Sequence, residues 1–100
     1  MNLYDEVVAA LQTVHDPEIP VNIFELGLVY EIKIEDGGKV NIVMTLTAPA
    51  CPAAGDIIFD VQSKLEAIEG VNDVHVQLTF DPPWSKDLMS EEAKLELGFL

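Results

Sequence analysis

A chain of 100 residues, 49% of them hydrophobic, is sized for one domain with one core, since chains usually divide only beyond roughly 250 residues. Five lysines and no arginine stand against 18 acidic residues, and the net charge of −13 is spread along the chain, with two lysines and eight acids in residues 1–50 and three and ten in residues 51–100. Such a surface repels phosphate backbones and anionic lipid, so nucleic-acid and membrane binding are excluded.

Leu3, Val7, Leu11 and Val14 recur at helical spacing, with Asn2 suited to cap the first turn. Pro17 biases Asp16 away from helical geometry and ends this element. An irregular stretch from His15 to Gly27 follows. Tyr30, Ile32 and Ile34 then alternate with charged residues, Asp36-Gly37-Gly38 supplies a turn tolerant of positive φ, and Val40, Ile42, Met44 and Leu46 alternate again, which predicts a β-hairpin. Pro52 suits the first position of a second helix with the stripe Ile57, Ile58, Val61, Leu65 and Ile68, running to about Glu69 and capped by Gly70. Val74, Val76, Leu78 and Phe80 make a third strand with one apolar face, stopped by Asp81-Pro82-Pro83. Ser90-Glu91-Glu92-Ala93 opens a last short helix that ends near Gly98.

The order α-β-β-α-β-α, with half-polar strands, predicts a two-layer α+β fold: one domain over residues 1–100, with a small mixed sheet covered by helices on one face. Strands two and three run parallel through a right-handed crossover, so their C-terminal ends share one sheet edge with the start of strand one. Three irregular segments converge there, His15 to Gly27, Thr47 to Pro52 and Asp81 to Trp84, and they hold the lone cysteine, the lone tryptophan and all six prolines. Sites favour such edges.

Cys51, just before Pro52 at the expected start of helix two, faces the positive end of a helix dipole, which favours its thiolate, whereas Asp56 and the overall negative charge oppose it. A buried, inert cysteine is the alternative. His15, Asp16 and Glu18 offer an imidazole and two carboxylates as metal ligands or as a base beside a thiol, or they form a turn that caps backbone groups. Trp84 reads equally as a packing anchor or as a partner contact, and His75 as a solvated residue on the polar sheet face. The start Met1 to Glu6 lacks the basic, then long apolar, pattern of a secretory signal, and one cysteine cannot form an internal disulfide, so a cytoplasmic location is expected.

Three blocks together carry a resemblance. Asp16-Pro17-Glu18-Ile19-Pro20 with Leu26-Gly27-Leu28-Val29-Tyr30, then Met44 to Pro52 (MTLTAPACP), then Phe80-Asp81-Pro82-Pro83-Trp84 with Met89-Ser90-Glu91-Glu92-Ala93, resemble the SufT/PaaD-like family of iron-sulfur assembly proteins over nearly the whole chain. The resemblance implies a factor that matures iron-sulfur proteins, with Cys51 as the functional thiol and possible metal ligand, Asp16 as the motif acid, and Glu18, Thr47, Pro49, Pro52, Asp81 and Trp84 in support. Ala50 stands where the family often has glycine. The implied cofactor is an iron-sulfur cluster, held transiently or shared, because a cluster usually takes four cysteine ligands and one chain supplies one. The expected partners are a scaffold and client proteins; a homodimer pairing two Cys51 thiolates is another arrangement. The expected role is an adaptor or transient carrier rather than an enzyme. Its alternatives are a sulfur carrier or thiol-dependent catalyst, a PaaD-like subunit of a multicomponent ring oxygenase, and a purely structural interaction module.

Overall fold

The computed structural model of the chain describes residues 2–15, 19, 21–47 and 54–99. Helix α1 spans Leu3–Leu11, and the Asn2 side chain accepts a hydrogen bond from the Asp5 N–H at 2.8 Å, satisfying a first-turn donor as the sequence predicts. Its apolar stripe buries Val7 and Leu11 completely, and Val14 beyond the helix end is buried as well. No basic residue lies in the last turn of α1. Lys64 reaches across from the second helix instead, donating to the Thr13 carbonyl at 2.9 Å while pairing with Asp60 at 3.4 Å.

Strands β1 (Val29–Glu35) and β2 (Lys39–Met44) form the expected antiparallel hairpin, with Gly37 and Gly38 at φ of 84° and 77° in the turn. Helix α2 (Ala54–Glu66) crosses over to β3 (Asp73–Leu78), which pairs parallel to β2, giving a mixed sheet in the order β1-β2-β3. Ile32 and Ile34 stand opposite Ile42 and Val40, and these in turn opposite Val76 and Val74, so one sheet face is a continuous apolar surface under the helices. The other carries Glu31, Lys33, Glu35, Asn41, His75 and Gln77 and stays open, which is the predicted two-layer α+β arrangement.

Four details differ from the sequence reading. Helix α2 ends at Glu66 rather than near Glu69, because Ile68 and Val71 donate to carbonyls three residues back and tighten the chain into turns before Gly70 at φ 97°. Pro52, the expected first residue of that helix, lies outside the described residues. Strand β2 stops at Met44 because the next amide, Thr45, donates to Leu28 ahead of the β1 bulge; Leu46 is buried all the same. Strand β3 stops at Leu78, and on this edge strand Leu78 and Phe80 stay 37% and 40% exposed. A short 3-10 helix, Lys86–Leu88, precedes α3 (Glu91–Glu96), whose N-cap Ser90 and terminal Gly98 at φ 83° are where the sequence puts them. Among the described residues no helix is long and apolar enough to cross a membrane.

Candidate functional site

The parallel pairing of β2 and β3 brings their C-terminal ends side by side, Met44 opposite Leu78, and Thr79 N–H extends the ladder by donating to the Met44 carbonyl at 2.8 Å. Thr47 and Asp81 each stand three residues past that last pair, Thr47 half-buried and Asp81 exposed. A mutual pair of 3.3 Å hydrogen bonds between the Thr79 hydroxyl and the Asp81 backbone sets the turn on which Asp81 sits. Both residues are thus on the rim the topology predicts.

Polar ties to the third segment close this rim. Tyr30 Oη donates to the Pro82 carbonyl at 2.8 Å, and Trp84 Nε1 donates to the Leu26 carbonyl at 2.7 Å. Sequence alone left Trp84 open between two roles; in the fold it is half-buried against the core with its indole N–H satisfied, which is how a packing anchor behaves. Asp16, Glu18, Pro49, Cys51 and Pro52 lie outside the described residues.

His15 does fall within them. It forms an isolated antiparallel bridge with Asn22, and its exposed side chain lines a depression of about 370 Å³ together with Asp56, Ile57, Phe59 and Asp60 from the first two turns of α2. The end of the α1 turn and the beginning of α2, remote in sequence, are therefore neighbours. Asp56 in the first turn of α2 complements the helix dipole. Phe59, 71% exposed, was missed from sequence, and its signal was an aromatic residue off the Ile57, Val61, Leu65 stripe between two acids. Exposed aromatics of this kind are enriched where proteins meet.

A second concavity went unforeseen because no single segment forms it. Ile19 and Leu26 from the loop before β1 and Trp84, Lys86, Met89, Leu97 and Phe99 from the C-terminal segment line an apolar groove of about 520 Å³. Neither Thr47 nor Asp81 belongs to it. Among the described residues, no three His, Cys, Asp or Glu side chains are grouped so that they could hold a metal ion. With one cysteine in the chain, this donor set does not suit a resident iron-sulfur cluster, which usually takes four protein ligands, so a cluster fits as cargo.

Known proteins share this sequence and fold. A protein of Porphyromonas gingivalis named an Fe-S protein maturation auxiliary factor is 56% identical over 96 residues, covering 96% of this chain and 91% of the relative. The Bacillus subtilis Fe-S protein maturation auxiliary factor YitW is 41% identical, covering 96% of this chain and 94% of its own. In three dimensions a crystal structure of a domain of unknown function from Bacillus anthracis superimposes with a TM-score of 0.91 at 39% identity, over 98% of this chain and 93% of that one. The sequence profile of an iron-sulfur cluster assembly protein family matches residues 4–78, and with relatives this similar over nearly their full lengths, the chain belongs to that family.

Proposed function

We propose that the chain matures iron-sulfur proteins in the cytoplasm as an adaptor or transient carrier without turnover of its own. Cys51 supplies one thiolate ligand to a cluster whose remaining ligands stay with a scaffold or a client protein. Ligand exchange of this kind is balanced within itself: as Cys51 sulfur bonds to iron, another thiolate leaves, the incoming thiol gives up its proton, the departing sulfur takes one, and no electron moves. Asp16 and Glu18 serve as the neighbouring acids that receive the proton or complete a ligand set. Thr47, Pro49 and Pro52 support the loop that carries the sulfur, Asp81 stands on the rim where β2 and β3 end, and Trp84 anchors the C-terminal segment behind that rim.

One observation carries this reading. His15, next in sequence to Asp16, shares a depression with Asp56, Ile57, Phe59 and Asp60 at the beginning of the helix that follows Cys51. The residue that precedes Asp16 and the first turns of the helix that follows Cys51 thus lie side by side, which supports a joint site of Asp16 and Cys51. The names of the Porphyromonas and Bacillus relatives support the maturation role.

The test is complementation of a strain lacking the gene with wild type, Cys51→Ala and Cys51→Ser. Activity of an iron-sulfur dehydratase, measured per unit of its apoprotein, is expected to fall with both variants to the level of the uncomplemented strain while the chain's abundance holds. Client activity equal to wild type in the alanine variant counts against Cys51 and the carrier role together.

A further inference from the structure

Of the two edges of the sheet, one is blunted. Strand β1 carries a bulge between Val29 and Glu31, Tyr30 is tied down to Pro82, and Glu31, Lys33 and Glu35 line it with charge. Those features discourage an edge strand from pairing with another chain. Strand β3 pairs in unbroken register, and its one acidic residue is Asp73 at its first position.

Two hydrogen bonds define which way its backbone faces. Asp73 N–H donates to the Gly38 carbonyl at 3.3 Å, and Thr79 N–H to the Met44 carbonyl at 2.8 Å. Because successive residues of a strand turn their backbone groups to opposite sides, Asp73, His75, Gln77 and Thr79 address β2, whereas Val74, Val76 and Leu78 turn N–H and C=O outward. Among the described residues no element lies beyond β3 in the sheet to receive them.

We propose that β3 is a self-association edge at which two copies of this chain pair antiparallel about a two-fold axis at Val76, joining their sheets into one. In that register Val76 meets its counterpart and Val74 of each copy meets Leu78 of the other, so all three outward residues exchange both of their hydrogen bonds. Apolar side chains meet on the covered side, and the pairs shield Leu78, now 37% exposed. On the open side His75 stands opposite Gln77 and Asp73 opposite Thr79, so like charges never oppose each other. An axis at His75 sets two imidazoles face to face and leaves Leu78 without an outward-facing partner. Charge leaves this edge as the place for a second copy: a chain of net charge −13 repels itself over most of its surface, but Val74 to Phe80 holds no Asp, Glu, Lys or Arg. Antiparallel pairing sends the two rims to opposite ends of the joined sheet, so each copy keeps its own rim. None of this depends on the role of Cys51.

Sedimentation equilibrium of the full chain from about 1 μM to about 1 mM, at low and high salt, tests the proposal. The expected result is a reversible monomer-dimer equilibrium that tightens with salt, since screening weakens the repulsion between like net charges. Val76→Pro removes an outward N–H without breaking a bond to β2, and Leu78→Lys sets a charge in the pairing strip from an already exposed position; each is expected to weaken the dimer at least about tenfold. Leu78→Lys guards against a folding defect in the proline variant, with circular dichroism verifying both. On concentrating the wild type, amide exchange is expected to slow at Val74, Val76 and Leu78 and to hold constant at His75 and Gln77. A chain that remains monomeric throughout, or a dimer that Leu78→Lys leaves intact, overturns the proposal.

Discussion

Residues 2–78 and residues 79–99 are built on different principles. The first region is periodic: among its described residues two helices and three strands, each with a regular apolar face, are joined by ladder and helix hydrogen bonds around one core. The second contains one short 3-10 helix and a six-residue α3, too short to persist alone, and its residues are held by ties to the start of β1 and the loop before it. Trp84 donates to Leu26, Pro82 accepts from Tyr30, Ser90 N–H donates to Glu25, and Met89 and Ala93 enter the core. The C-terminal region is a clasp on the loop that leads from the acidic turn into β1. The family profile stops at Leu78, the last residue of β3, whereas the relatives at 56% and 41% identity align over 96 residues. The clasp therefore belongs to close relatives as well as to this chain.

If the two regions are joined mainly at this contact, the largest effect comes from a position with no room for a side chain between them. Gly27 has φ 80°, and a Cβ there would strike the Leu88 carbonyl. Gly27→Ala combines a left-handed backbone penalty with overpacking, expected to total roughly 2 to 4 kcal/mol in urea unfolding. A loss below about 0.5 kcal/mol would show that the clasp tolerates displacement. Trp84→Phe keeps one aromatic ring but loses the pyrrole ring with its N–H, leaving the Leu26 carbonyl without its donor, and is expected to cost at least roughly 1 to 2 kcal/mol. Trp84 is the sole tryptophan, so far-UV circular dichroism must report the transition for this variant. An unchanged midpoint would reduce the indole to surface packing.

How much of this was legible in the sequence follows the same division. Every regular element of the first region was readable because apolar residues recur at the period of the element they build: Leu3, Val7 and Leu11 for α1, Val40, Ile42 and Met44 for β2. Ser90 and Gly98 revealed α3 through its caps. The 3-10 helix at Lys86–Leu88 has no such signature, since three residues cannot display a period. The bond from Trp84 to Leu26 spans 58 positions and the bond from Tyr30 to Pro82 spans 52, and no local pattern encodes partners so distant. The same holds for the site. Chain order and strand direction sufficed to put Thr47 and Asp81 on one rim, because parallel neighbours end together. The exposure of Phe59 beside His15 depended on how α1 and α2 lie against each other, which no spacing in either helix states.

The smallest effect is also the most local. The Ser90 hydroxyl accepts from the Ala93 N–H at 3.1 Å at the start of α3, so Ser90→Ala strips a cap from a helix with few hydrogen bonds of its own. A lost cap costs about 1 kcal/mol. For a helix inside a cooperative core that cost would appear in full in the global midpoint. In a clasp that opens on its own it appears first as local unfolding, because the open form need not expose the sheet. Amide exchange is therefore expected to speed up at Ala93 and Lys94 in the alanine variant while the β2 amides of Val40 and Ile42 keep their protection, and Ser90→Asp, which restores an acceptor, is expected to return the wild-type rates. Equal acceleration in β2 would mean that residues 79–99 unfold only with the rest of the chain, and the distinction between periodic scaffold and separable clasp would then describe construction and not dynamics.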